Sequence, residues 1–99
     1  MRLRNKPWAK ERINQFPEIV IPDAESRQGL WNQVFRNNHP IYVEVGTGKG
    51  QFLTEMGKCH SKYNFVGIEK YESVLLTAME RVVEAGLENV KLFTAMSMM

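Results

Sequence analysis

Three short apolar runs, separated by segments of helical periodicity, set the rhythm of the chain. Ile41 to Val45 reads Ile-Tyr-Val-Glu-Val, apolar at four of five positions with Glu44 embedded among them. That is the pattern of a strand covered on both faces, as in a parallel sheet flanked by helices. Asn64 to Glu69 predicts a second strand with a carboxylate at its C-terminal end, and Val90 to Phe93 a third. Between the first two, Gln51 to Lys58 predicts a helix with Phe52, Leu53 and Met56 inward. From Tyr71 to Ala85, Val74, Leu75, Ala78, Met79, Val82 and Val83 hold the 3.6 period of a helix, and Gly86 supplies its stop. Ahead of the first strand, Pro22-Asp23 predicts a helix entry with Asp23 as N-cap. Leu30, Trp31, Val34 and Phe35 then line one helical face against the sheet, which makes Trp31 a core residue. Asn37-Asn38 and the residue before Pro40 break that helix. The order β-α-β-α-β with short connections predicts right-handed crossovers and a parallel α/β sheet.

Charge divides the chain differently. Residues 1–12 hold Arg2, Arg4, Lys6, Lys10 and Arg12 against Glu11, a local +4 in a chain of net charge +2, so the remaining 87 residues carry −2. The expected organisation is a basic arm over residues 1–22 followed by a body over residues 23–99. The arm interleaves its cations with Trp8, Phe16, Pro7 and Pro17, so irregular or briefly helical structure is expected there. Arg2, Arg4 and Lys6 can neutralise phosphates while an exposed indole stacks on a base, which makes an RNA contact. The alternative is a solvated leader with Trp8 packed on the body. Ninety-nine residues allow a single small domain. No apolar run approaches the roughly 20 residues of a membrane span and the N-terminus has no apolar signal region, so a cytoplasmic protein is expected. The one cysteine, Cys59, has no internal disulfide partner, and neither His39 nor His60 stands at metal-ligand spacing, so no metal is expected.

The candidate chemistry lies where the first strand runs into Gly46-Thr-Gly48-Lys-Gly50-Gln51. Glycines at alternate positions let the main chain adopt positive φ and let a ligand approach it closely. A phosphate-cradling P-loop would need glycine where Val43 stands and Ser or Thr where Gly50 stands, so that reading fails twice. A dinucleotide fingerprint would need glycine at Gln51, and it survives only weakly. The third reading is Glu-x-Gly-x-Gly-x-Gly with an acidic residue closing the next strand. Glu69 falls 19 residues after Gly50, close to the spacing of about 20 expected of a carboxylate that grips ribose hydroxyls. Glu44, costly to bury without a partner, points to a cationic group on the ligand. A nucleoside with a cationic group and no demand for phosphate fits S-adenosylmethionine.

Met1-Arg-Leu-Arg-Asn-Lys-Pro-Trp-Ala9, the Ile41 to Phe52 motif, Phe65-Val-Gly-Ile-Glu69 and Gly86-Leu-Glu-Asn-Val-Lys-Leu92 together resemble the N-terminal part of the bacterial tRNA (guanine-N7-)-methyltransferase family. The similarity runs through about residue 92. It implies a Rossmann-like class I methyltransferase fold, S-adenosylmethionine as methyl donor, and N7 of the variable-loop guanine of tRNA as acceptor. By position, Glu44, Gly46, Gly48, Gly50 and Glu69 would be the cofactor-binding residues. Guanine N7 has an in-plane lone pair and no proton, so attack on a sulfonium methyl needs alignment rather than a general base.

The family chain is about twice as long as this one. Its third strand is followed by an acidic residue that contacts the cofactor, where this chain has Met96, and then by a fourth strand with a catalytic Asp. The expected fold is therefore truncated after about three strands, with no catalytic residue to name. Ile41 to Val45 would lie at a bare sheet edge, and one wall of the cleft would be encoded. The chain alone is expected to methylate nothing and to bind cofactor weakly at best. Two other readings stay open: a non-catalytic RNA-binding module using the basic arm, and half of a nicotinamide-dependent oxidoreductase, against which Gln51 and Glu44 argue.

Overall fold

The computed structural model describes residues 8–95. Arg2, Arg4, Lys6 and Met96 lie outside them. The elements are α1 (Ala9–Asn14), a 3₁₀ turn (Ala24–Arg27), α2 (Trp31–Phe35), β1 (Ile41–Val45), α3 (Gln51–Cys59), β2 (Asn64–Glu69), α4 (Glu72–Ala85) and β3 (Val90–Thr94). The strands form a parallel sheet in the order β1-β2-β3. Ile41 pairs with Asn64 through to Val45 with Ile68, and Phe65 with Val90 through to Glu69 with Thr94. All six residues of β2 are buried, as its near-continuous apolar run requires of a central parallel strand.

Parallel strands cannot be joined by hairpins, so α3 and α4 serve as crossovers and cover one face. On that face Leu53, Phe65, Leu75, Met79, Val82, Val90 and Leu92 form one cluster. Ala24, Phe35, Val66, Ile68 and Phe93 form a second on the opposite face. Trp31 packs on this second cluster, stacked on Phe93 with ring centroids 5.5 Å apart, but it is only partly buried, at the margin of the core rather than within it. Within residues 1–22, α1 places Ala9 and Ile13 in the first cluster against α4. Ile19 O accepts from Leu92 N–H and Leu92 O from Ile21 N–H, both at 2.8 Å. These two bonds occupy the outer edge of β3. Trp8 is exposed.

Several local expectations need correction. The helix expected to run unbroken from Asp23 is split into the 3₁₀ turn and α2. Gly29 takes φ 77° between them, because a residue without Cβ ends a helical turn more cheaply than it prolongs one. Asp23 itself has φ 53° and no side-chain cap bond; its carbonyl accepts from the amide and hydroxyl of Ser26 instead. Phe52, expected inward, is 62% exposed. The physical reason is Gly57: a Cβ there would meet Val90 Cγ2 at 2.6 Å, so α3 lies close to the sheet along Leu53, Thr54 and Gly57 and turns Phe52 to its flank. Likewise on α4, Leu76 is buried and Val83 is exposed.

On the far side of the sheet β1 has no neighbouring strand among the described residues. Tyr42, Val43 and Val45 are exposed, Val45 to 79%. Beside it a hollow of about 450 Å³ opens under α3, lined by Tyr42, Phe52, Met56, Tyr63 and Phe65 among others. Tyr42 meets Tyr63 edge-on at 5.5 Å and stacks on Phe65 at 5.8 Å. Among the described residues no helix is long and apolar enough to cross a membrane.

Candidate cofactor site at the glycine turn

β1 ends by folding over the C-terminal end of β2. The amides of Gly46 and Thr47 both donate to Ile68 O, at 2.8 and 3.1 Å, which converts strand into turn within one residue. Gly46, Gly48 and Gly50 have φ of 73°, 61° and 79°, the left-handed conformation that side chains disfavour. Their surroundings differ. A Cβ on Gly46 or Gly48 would meet nothing within 4 Å, so the main chain there faces open space. Gly50 instead packs on α4, where a Cβ would sit 2.9 Å from Ala78 Cβ and 3.1 Å from Ala78 Cα. Gly50 also opens α3, its carbonyl accepting the Thr54 amide at 2.9 Å.

The two acids expected from the sequence meet at this turn. Glu69, 7% exposed, accepts the Gly48 amide on Oε1 at 2.9 Å. Its Oε2 accepts the amides of Lys70 at 2.9 Å and Tyr71 at 3.1 Å. Three backbone donors make a buried carboxylate tolerable and fix its orientation. Glu44, half-buried on β1, accepts the hydroxyl of Thr47 on Oε1. The structure thus brings the candidate cofactor-binding residues Glu44, Gly46, Gly48, Gly50 and Glu69 together at one turn. Among the described residues neither carboxylate is in a salt bridge. Sequence reasoning missed Thr47, which the motif treats as a free position; its one signal is a hydroxyl three residues after a carboxylate in a strand.

Other candidates gather less. A second hollow of about 520 Å³ between α2 and β3 holds Arg27, Arg36 and Lys91, yet Glu18 and Glu88 line it too. Lys91 donates to Glu18 O at 2.6 Å, and burial pushes its pKa below the ordinary lysine value while Glu18 and Glu88 pull it back. Two carboxylates offset all but one of the three cations, and Lys91 is already engaged with Glu18 O. Among the described residues no group of three or more His, Cys, Asp or Glu side chains is placed to hold a metal ion.

Comparison with known proteins bears on this geometry. The sequence pattern of a family described as putative methyltransferase matches residues 38–98, from the approach to β1 to beyond β3. A tRNA (guanine-N(7)-)-methyltransferase of Geobacillus kaustophilus is 55% identical over 95 residues, 96% of this chain and 44% of the relative. Its counterpart in Halalkalibacterium halodurans is 58% identical over 91 residues, 92% of this chain and 41% of the relative. That of Listeria monocytogenes is 47% identical over 92 residues, 93% of this chain and 43% of the relative. The chain thus spans less than half the length of these relatives, and the resemblance drawn from its motifs is borne out. With a parallel sheet, a glycine turn at the end of β1 and matching residues across both, the chain belongs to the putative methyltransferase family.

Proposed function

We propose that this chain forms the N-terminal part of an S-adenosylmethionine-dependent tRNA (guanine-N7-)-methyltransferase, in which the glycine turn and its two carboxylates hold the cofactor. The observation that carries the reading is that Glu44 and Glu69 bond to Thr47 and Gly48 of a turn whose main chain is left open at Gly46 and Gly48. A carboxylate oxygen has room for more than one donor. Glu69 can therefore keep its backbone bonds and still accept ribose hydroxyls. Glu44, oriented by a neutral hydroxyl rather than paired with a cation, is left to meet the ammonium of the methionine part. When bound, S-adenosylmethionine supplies an electrophilic methyl on a sulfonium. The protein's work is to orient: no proton has to leave guanine N7, so alignment and electrostatic placement suffice.

The second wall of the cleft belongs on the open side of β1. Residues 19–21 already occupy the outer edge of β3, so a further strand has room at β1, beside the exposed Val43 and Val45. The relatives have more than half their length outside the match to supply it. Arg2, Arg4 and Lys6, outside the described residues, are assigned to tRNA phosphates, with residues 1–22 as an RNA-facing segment seated on the body through Ala9, Ile13, Ile19 and Ile21, and residues 23–99 as the cofactor-facing part.

The test is a chimera joining this chain to the unmatched part of the Geobacillus kaustophilus relative, expressed in cells without their own enzyme. Nucleoside mass spectrometry of their tRNA is expected to find N7-methylguanosine in the variable loop with the chimera and none with the 99-residue chain alone. A folded chimera that binds S-adenosylmethionine and leaves that guanine unmethylated overturns the reading.

A further inference from the structure

We propose that Thr47 is a positioning residue that sets the ligand preference of Glu44, an inference that rests on the cofactor reading above and deepens it. Thr47 is 8% exposed although it sits in a turn. Its main chain is held from both sides, the amide donating to Ile68 O at 3.1 Å and the carbonyl accepting the Gly50 amide at 3.2 Å. Its side chain is confined as well: a Cβ on Gly67 would lie 3.0 Å from Thr47 Oγ1, so the hydroxyl rests against the bare Cα of β2. A β-branched side chain on a tethered backbone has little χ1 freedom, and here its hydroxyl donates to Glu44 Oε1.

The chemical nature of that donor decides the consequence. A lysine or arginine would orient Glu44 and neutralise it together; a hydroxyl orients it and leaves the charge in place. With Oε1 held, Oε2 is the atom left to face a cation on the ligand. Thr47 therefore favours ligands with an ammonium group over the bare nucleoside, without touching the ligand itself. Glu69 is held through a different turn residue, Gly48, so the ribose end of the site is independent of Thr47.

The test compares two thioether nucleosides, S-adenosylhomocysteine, which carries the ammonium, and 5′-methylthioadenosine, which lacks the amino-acid part. Binding to the 99-residue chain, Thr47→Val and Thr47→Ser is followed by NMR at millimolar ligand. Thr47→Val is expected to weaken S-adenosylhomocysteine about tenfold, the scale of one hydrogen bond to a charged group, and to leave 5′-methylthioadenosine unchanged. Thr47→Ser, which keeps the hydroxyl, is expected to restore the preference. A Thr47→Val chain that loses both ligands in proportion, or that keeps its preference, overturns the proposal alone. An unsubstituted chain with no preference for the ammonium ligand overturns the reading of Glu44, and this inference with it. Urea unfolding of Thr47→Val, Glu44→Gln and the double variant checks the contact without ligand: the midpoint shifts are expected to be non-additive, and additive shifts overturn it.

Discussion

Gly50→Ala is expected to lower the thermal midpoint by about 10 to 20 °C, the consequence of losing about 2 to 4 kcal/mol in a domain of this size. Two costs combine. An alanine at φ 79° takes up the left-handed conformation, about 1 kcal/mol. Its methyl would also lie 2.9 Å from Ala78 Cβ and 3.1 Å from Ala78 Cα. Ala78 is fully buried in the middle of α4, so no flexible side chain can yield and α3 must shift away from α4. Gly46→Ala is the control. It has the same backbone conformation and open space around its Cβ, so its expected loss is about 1 kcal/mol. Circular dichroism melts of the two variants check the contrast, and equal losses would contradict the assignment of Gly50 to close helix packing.

Glu69→Ala is expected to cost about 2 to 4 kcal/mol of stability, because the amides of Gly48, Lys70 and Tyr71 lose a charged acceptor together. The turn then keeps the bonds of Gly46 and Thr47 to Ile68 O but loses its side-chain tether at Gly48, and cofactor binding is expected to disappear with it. Glu72→Ala, three residues on at an exposed position in the first turn of α4, removes the same charge and is expected to cost about 0.5 kcal/mol. Urea unfolding of the two variants separates a structural carboxylate from a merely helix-favouring one. A Glu69→Ala chain as stable as Glu72→Ala would contradict the role given to Glu69.

The parts of this fold legible in the sequence are those whose signals are local. β2 announces itself because a strand buried on both faces must be apolar nearly throughout. α4 does so because a long helix against a sheet must repeat its apolar positions every three or four residues. The candidate site was legible as a gathering of residues for a related reason: Glu44, the alternate glycines and Glu69 are tied by chain spacing to the strand ends of one β-α-β unit. What escaped is set by partners far along the chain. Gly29 divides the helix before β1, a cost that the apolar pattern of Leu30, Trp31, Val34 and Phe35 concealed. Phe52 faces outward because Gly57 brings α3 close to Val90, more than thirty positions away. The backbone pairing of Ile19 and Ile21 with Leu92 leaves no periodic trace, since an isolated bridge imposes no pattern on side chains. Thr47 left only the faint signal of a hydroxyl three residues after Glu44, because its placement depends on Gly67, a residue whose missing side chain makes the room.

The most direct measurement of the central claim is an amide NMR titration of the 99-residue chain with S-adenosylmethionine, with NAD as comparison. Saturable shifts are expected at Gly46, Thr47, Gly48, Lys70 and Tyr71, the amides of the turn and of the Glu69 clamp, with affinity on the order of millimolar for a cleft with one wall. NAD is expected to leave them in place. Shifts confined to other parts of the chain, or a preference for NAD at the same amides, would contradict the account.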